Sequence, residues 1–321
     1  MLISLALVAA GVLLLVAGGE SLLRGAVGLA TLLRLTPAII GLTVVAAGTS
    51  VPELAVSAMA AWKGQADIAV ANVIGSNIFN ITVILGLCVL IRPLQITGNT
   101  IKLEYPVLAL VSLLCLALAQ DGSINALDAV LLLSIYVGFT AFMVSLVRGQ
   151  VNAAEAAGLT EEVKALSASS PARPLLSVGL VVAGAALLAG GAQLTVTGAV
   201  GLARLLGWSE RVIGLTIVSA GTGLPEVMAS LVSSIRGRSD MAIGNVIGSN
   251  LFNILGALGI CALFSPLPVE ATLISFDGWW MLGLTLLLFP LMYTKLRIDR
   301  WEGGVLLVGY LSYLGLVLTA A

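Results

Sequence analysis

One stretch of this chain occurs twice. IGLTVVAAGTSVPE at residues 40–53 returns as IGLTIVSAGTGLPE at 213–226, and NVIGSNIFN at 72–80 returns as NVIGSNLFN at 245–253. The two copies align without a gap at a constant offset of 173, and GAVGLA at 25–30 recurs at 198–203 with the same offset. The repetition therefore reaches beyond the motif, and a fold for this sequence must be built from two like halves. Each copy also sets a Gly-Thr, a Pro-Glu and a Gly-Ser-Asn inside apolar sequence, which needs a physical reason.

The apolar setting fixes the fold class. The chain is 59% hydrophobic and 10% charged, with a mean hydropathy of +1.12, against about 25% charge in a soluble domain. An all-α polytopic membrane protein follows. Its 321 residues accommodate ten spans, at roughly 20 residues each. The spans fall at about 3–31, 37–62, 68–92, 103–119, 124–147, 174–204, 210–235, 240–264, 273–294 and 302–319. Residues 1–147 then form a first five-helix repeat and 174–321 a second. The polar, Ala/Ser/Glu-rich segment 148–173, ending in Pro-Ala-Arg-Pro, links them. Five is odd, so the second half enters the membrane from the opposite side. That is the inverted-repeat architecture common among secondary transporters.

Eleven basic residues fall on one side of this topology: Arg34, Arg92, Lys102, Arg148, Lys164, Arg173, Arg236, Arg238, Lys295, Arg297 and Arg300. Only Lys63, Arg204 and Arg211 fall on the other. The positive-inside rule places the larger group and the linker in the cytoplasm and both termini outside. The N-terminus lacks a basic leader and is expected to be a first span and not a removed signal. Cys88, Cys115 and Cys261 lie in apolar runs and read as packing residues. The net charge of −1 gives no basic field for nucleic acid, and there is no histidine. No phosphate loop, nucleophile–base set or soluble domain points to an enzyme, and no resident cofactor is expected.

Gly48-Thr49-Ser50-Val51-Pro52-Glu53 predicts a break in span 2, because proline has no N–H to donate and clashes with the preceding turn. The break is expected to free carbonyls at Ala46, Ala47 and Thr49, which is tolerated at membrane depth only where backbone lines a cavity or is buried in protein. Glu53 then falls in the first turn of the second half-helix. Span 7 repeats this with Gly221-Thr222-Gly223-Leu224-Pro225-Glu226. Asn72, Ser76 and Asn80 in span 3 lie four apart on one helix face, as do Asn245, Ser249 and Asn253 in span 8. Ser57 and Ser230 follow the two glutamates by one turn. An intramembrane carboxylate with no basic neighbour is functional by default, whereas Glu20 has Arg24 one turn away to pair with. Packing and interhelical hydrogen bonding stay open as readings for Asn72, Asn77, Asn245, Asn250, Ser57 and Ser230. Two carboxylates with amide, hydroxyl and carbonyl oxygens make an all-oxygen set suited to hard cations. A site charge of −2 is balanced by one Ca2+ or by two Na+, a basis for competition between them.

These residues carry a resemblance. The paired GTS-V-PE with GSNIFN and GTG-L-PE with GSNLFN resemble the two alpha-repeats of the calcium/cation antiporter superfamily, in particular its prokaryotic sodium/calcium exchangers. The resemblance implies a central ion site between broken helices 2, 3, 7 and 8. Ca2+ would be held by Glu53, Glu226 and the carbonyls of Thr49 and Thr222. Na+ would be held by Ala46, Ser50, Ser76 and Asn80 in one half and by Ser219, Ser249 and Asn253 in the other. It further implies antiport by alternating access in a bacterial or archaeal inner membrane, by a chain working as a monomer. Some members have Asp where Asn80 or Asn253 stands, so a third carboxylate is missing here. Gly223 stands where the first half has Ser50, so one hydroxyl is missing too. A Ca2+/H+ antiporter using the same glutamates is the nearest alternative. A cation channel is a further one, though channels usually build their pore from oligomeric rings.

Overall fold

The structure, a computed structural model, describes residues 1–33, 35–156, 174–207 and 219–320. Helix α1 spans Leu2–Leu33 and is followed by α2 (Pro37–Thr49) and α3 (Val51–Trp62), a pair bent by 46°. Next come α4 (Asp67–Ile91), α5 (Thr100–Asp121) and α6, which starts at Ala126 and continues to Ala156. The second half comprises α7 (Pro174–Leu205), α8 (Ser219–Thr222), α9 (Leu224–Ile235), α10 (Ser239–Phe264), α11 (Leu273–Leu296) and α12 (Arg300–Ala320). Among the described residues seven helices are long and apolar enough to cross a membrane, or eight with the bent α2–α3 pair taken as one. The expected linker is helical at its start, to Ala156. Its remainder, and the first part of expected span 7, lie outside the described residues.

The helices sort by burial. The α10 membrane-spanning window is 89% buried and that of α4 61%, whereas α1 and α6 stand at 22% and 17%. The two helices that carry the asparagines are therefore the centre of the molecule, and α1 and α6 present apolar surface outward. Cys88, Cys115 and Cys261 are free thiols in the packed interior.

Helices α3 and α9 end alike. Gly64 and Gly237 adopt left-handed φ values of 74° and 76°. In each case the next residue donates back five positions, Gln65 to Ala60 at 2.9 Å and Arg238 to Ser233 at 2.8 Å. This glycine-dependent cap satisfies the last carbonyls and stops the helix.

Two short antiparallel pairs tie the halves together at the loops. Strand β1 (Leu94–Gln95) pairs with β4 (Arg297–Ile298), and β2 (Ser123–Ile124) with β3 (Leu267–Pro268).

The seam between α1 and α7 follows directly from sequence. Ser4, Gly11, Gly18 and Gly25 are spaced seven apart, and so are Ser177, Gly184, Gly191 and Gly198. In space Ser4 meets Gly198, Gly11 meets Gly191, Gly18 meets Gly184 and Gly25 meets Ser177. Ascending numbers meet descending ones, so the helices run antiparallel. Small residues let the two backbones touch: a Cβ on Gly184 would sit 2.5 Å from the Leu22 nitrogen. Such close contact replaces the hydrophobic drive that helices in lipid lack. Helix α1 also reaches α9, since Arg236 and Arg24 both pair with Glu20, at 2.9 and 2.8 Å. The sequence offered only Arg24 as partner.

The breaks expected in helices 3 and 8 are absent. Helices α4 and α10 run on without a bend and contain no proline; each takes up a π-helical turn, at Asn80–Ile84 and Phe252–Leu258. One extra residue per turn re-aims side chains while the helix keeps its hydrogen bonds.

Leucine at Gly184 has no room at the seam, whereas a Cβ added to Gly179 on the same helix would have no heavy atom within 4 Å. Gly184→Leu is expected to cost roughly 1–3 kcal/mol, the usual penalty of overpacking, and Gly179→Leu to be tolerated. Thermal unfolding of the two variants in detergent checks this.

Candidate functional site

The break expected in span 2 falls at Ser50, whose φ of −85° and ψ of 7° leave the helical region between α2 and α3. Pro52 occupies the first turn of α3 and has no N–H to offer the Gly48 carbonyl. Two backbone bonds bridge the break, Ser50 N–H to the Ala46 carbonyl at 3.0 Å and Leu54 N–H to the Ser50 carbonyl at 3.1 Å. The Ala46 carbonyl also accepts from the Thr49 hydroxyl at 3.2 Å. It is thus not freed as the sequence suggested. In the second half the chain turns at Gly223 (φ −79°, ψ −1°), and Pro225 and Glu226 lie in the first turn of α9. Each glutamate therefore sits at the N-terminus of a half-helix, where unpaired N–H groups favour negative charge.

Glu53 and Glu226 are each 1% exposed and close enough to interact electrostatically. No Lys or Arg pairs with either among the described residues. Ser50 reaches across to the other half, where its hydroxyl donates to Glu226 Oε1 at 2.8 Å. The other contacts come from α4 and α10. Asn72 donates to the Glu53 carbonyl at 3.2 Å and to Ser57 Oγ at 3.0 Å. Its counterpart Asn245 donates to Ser230 Oγ at 2.8 Å, and Thr49 reaches Asn245 Oδ1 at 3.4 Å. Asn72, Asn245, Ser57 and Ser230 thus brace α3 against α4 and α9 against α10.

Several buried atoms have no hydrogen-bond partner: Glu53 Oε2, Glu226 Oε2, Ser249 Oγ and Asn253 Oδ1, together with Asn250 Nδ2 and Arg297 Nε. The first four are oxygens of residues singled out in the sequence as cation ligands. An unpaired buried acceptor costs about 1–3 kcal/mol, and more when charged, so four of them argue for a cation that they accept onto.

The structure places the remaining sequence candidates as follows. Thr49 and Ala46 are buried at the C-terminal end of α2, and Asn80 is buried at the start of the α4 π-turn. Ser76 is half-buried one turn before Asn80, and Thr222 is half-buried at the end of α8. The side chain of Ser219 lies outside the described residues. Gly223 has a physical reason for lacking a side chain: a Cβ there would sit 2.9 Å from the Phe79 ring. The space that a second serine would need is filled by an aromatic edge from α4.

The interhelical hydrogen bonding left open for Asn77 and Asn250, off the asparagine stripe, crosses between the halves, to Asn253 and Asn80 at 3.1 and 3.2 Å. One buried acid escaped the sequence. Glu104 on α5 is a third buried carboxylate, held by the Thr100 hydroxyl at 2.9 Å. The repeat offset could have found it, because Asp277 stands 173 residues later and accepts from Tyr313 at 2.6 Å.

The family described as sodium/calcium exchanger protein matches residues 3–145 and 176–319, nearly the whole chain. The chain belongs to the sodium/calcium exchanger family. That family lies within the calcium/cation antiporter superfamily, so the chain is a multi-pass membrane antiporter, in a family of transporters and not of catalysts. Among its relatives, the putative antiporter CaxA of Alkalimonas amylolytica is 40% identical over 98% of both chains. The sodium/calcium exchanger MaX1 of Methanosarcina acetivorans is 29% identical over 95% of both. A solved structure of the sodium-calcium exchanger NCX_Mj, soaked with zero Na+ and Ca2+, superposes with a TM-score of 0.83. It is 31% identical, covering 98% of this chain and 99% of its own.

If the unpaired oxygens accept a cation, that cation stabilises the fold. Ca2+ at 100 times its dissociation constant is expected to add about 2.7 kcal/mol, and Glu226→Gln to abolish the gain. Thermal melts with and without Ca2+ measure both.

Proposed function

We propose that this exchanger couples Na+ entry to Ca2+ extrusion, or the reverse, by alternating access around one site between α2–α3, α4, α8–α9 and α10. Its halves, residues 1–147 and 174–321, are five-helix repeats of opposite orientation, joined by segment 148–173 in the cytoplasm with both termini outside. The antiparallel α1–α7 seam and the cross-half strand pairs support that inverted arrangement. A bacterial or archaeal inner membrane and a monomeric working unit accord with it. Glu53 and Glu226 take Ca2+ together with the carbonyls of Thr49 and Thr222. Ser50, Ser76 and Asn80, with Ser219, Ser249 and Asn253, complete the Na+ positions, and the Ala46 carbonyl joins them by giving up its bond from the Thr49 hydroxyl.

The observation that carries this reading is the set of unpaired buried oxygens on Glu53, Glu226, Ser249 and Asn253. Two carboxylates supply a charge of −2, which one Ca2+ or two Na+ neutralise. Each ion thereby excludes the other, the physical requirement for exchange. The same set favours Na+ over H+ as counter-ion. A proton on each glutamate would cancel the charge, yet it would leave Ser249 Oγ and Asn253 Oδ1 to find a donor elsewhere. A third Na+ per cycle would move net charge, worth about 2.3 kcal/mol per 100 mV.

Proteoliposomes test this reading. Ca2+ uptake is expected under an outward Na+ gradient, to vanish when K+ or choline replaces Na+, and to be absent in Glu53→Gln and Glu226→Gln. Uptake that persists without Na+ and follows a pH gradient would instead establish the proton-coupled antiporter.

A further inference from the structure

Asn77 and Asn250 do not lie on the ligand stripe, yet each contacts an asparagine that does, and each contact crosses between the halves. Asn253 Nδ2 donates to Asn77 Oδ1 at 3.1 Å, and Asn80 Nδ2 donates to Asn250 Oδ1 at 3.2 Å. All four side chains are at most 2% exposed, so water does not compete for these bonds.

An asparagine amide presents an acceptor on one side and two donors on the other. Whichever atom is tied down decides which one faces the ions. Tied by nitrogen, Asn253 turns its oxygen outward, and that oxygen is one of the unpaired acceptors. Tied by oxygen, it would aim N–H groups at a cation and repel it. The orientation of Asn77 is fixed in turn: its Nδ2 donates to the backbone carbonyl of Asn250 at 3.3 Å, with Met281 Sδ a second acceptor at 3.8 Å. A backbone carbonyl can only accept. The chain of hydrogen bonds therefore has one sense, running from the Asn250 carbonyl through Asn77 to Asn253 and ending on an outward-facing oxygen.

The arm through Asn80 lacks such an anchor. Asn250 accepts from Asn80, but its own Nδ2 has no partner. At the position equivalent to Met281, 173 residues earlier, stands Leu108, which offers no acceptor. The two arms are alike in sequence and unequal in strength.

We infer that Asn77 is a positioning residue for ion binding. It locks the amide of Asn253 with its oxygen toward the transported cations, and Asn250 does the same, less firmly, for Asn80. The inference rests on the reading of Asn253 and Asn80 as ion ligands. It adds that residues of the opposite half set their polarity, so each half-site is complete only when the other half is in place.

A double-mutant cycle on the full chain separates this role from mere packing. Wild type, Asn77→Leu, Asn253→Ala and the double variant are titrated with Na+ in detergent. The readout is the half-saturating Na+ for thermal stabilisation, with ion-free melting temperature as the control for folding. Asn77→Leu is expected to raise the half-saturating concentration about tenfold, and Asn253→Ala to raise it similarly. The double variant should be no worse than Asn253→Ala, because a locked amide that is absent cannot be released. Additive effects, or an Asn77→Leu titration like that of wild type, overturn the proposal. If Asn253→Ala alone leaves the titration unchanged, the ligand reading falls and takes the proposal with it. If the titrations behave as expected while proteoliposomes show no Na+-driven uptake, the coupling reading fails and the amide lock stands. Should Asn77→Leu not fold, Asn77→Ser replaces it, since its hydroxyl is too short to reach Asn253, and the same outcomes apply.

Discussion

Two buried carboxylates, without a basic side chain to pair with among the described residues, are the condition that the rest of this protein must accommodate. An unpaired buried charge is among the most costly things a fold can contain. Glu53 and Glu226 are placed where the cost is lowest, at the first turns of two half-helices, and Ser50 donates across to Glu226. The helix breaks follow from this need: without Pro52 and Pro225 there would be no half-helix N-termini at that depth. Asn72 with Ser57, and Asn245 with Ser230, hold the broken segments against α4 and α10. Around the carboxylates the unsatisfied atoms are oxygens of Glu53, Glu226, Ser249 and Asn253, with the Asn250 amide nitrogen the one donor beside them. A site so short of positive charge favours cations.

The halves are alike where the carboxylates lie and unlike beside them. Ser50 offers a hydroxyl, whereas Phe79 presses on Gly223 and keeps that corner free of any side chain. Glu20 joins α1 to α9 through Arg236, and the corresponding positions hold Gln193 and Lys63, which carry no such pair of opposite charges. Departures from two-fold likeness thus cluster at the flanks of the site and where the outer helices meet the centre.

Much of this was legible in the chain. Composition gave the helical membrane class, and Pro52 with Gly48 located the break that falls at Ser50. The sequence did not reveal that α4 and α10 would take up a π-turn and stay whole, because no residue type marks such a turn as proline marks a kink. Nor did it reveal which hydroxyl serves which acid. Ser50 is three residues from Glu53 and yet bonds Glu226, a choice made by how the half-helices cross. For Asn77 and Asn250 interhelical hydrogen bonding was legible but the partners were not: helical periodicity ranks side chains by their own face, and these two act on the face of another helix. Glu104 escaped because it belongs to no motif.

The seam between α1 and α7 has one more consequence. Ser4, Gly11, Gly18 and Gly25 meet, in reverse order, the same four positions of the other half. That is the geometry of an isologous contact, in which a surface is its own complement, as in a two-fold homodimer. Each half of this chain encodes the partner its outer helix packs against. A change at any one seam position is therefore felt by the other half, at the position that faces it across the axis, even though equivalent positions lie 173 residues apart.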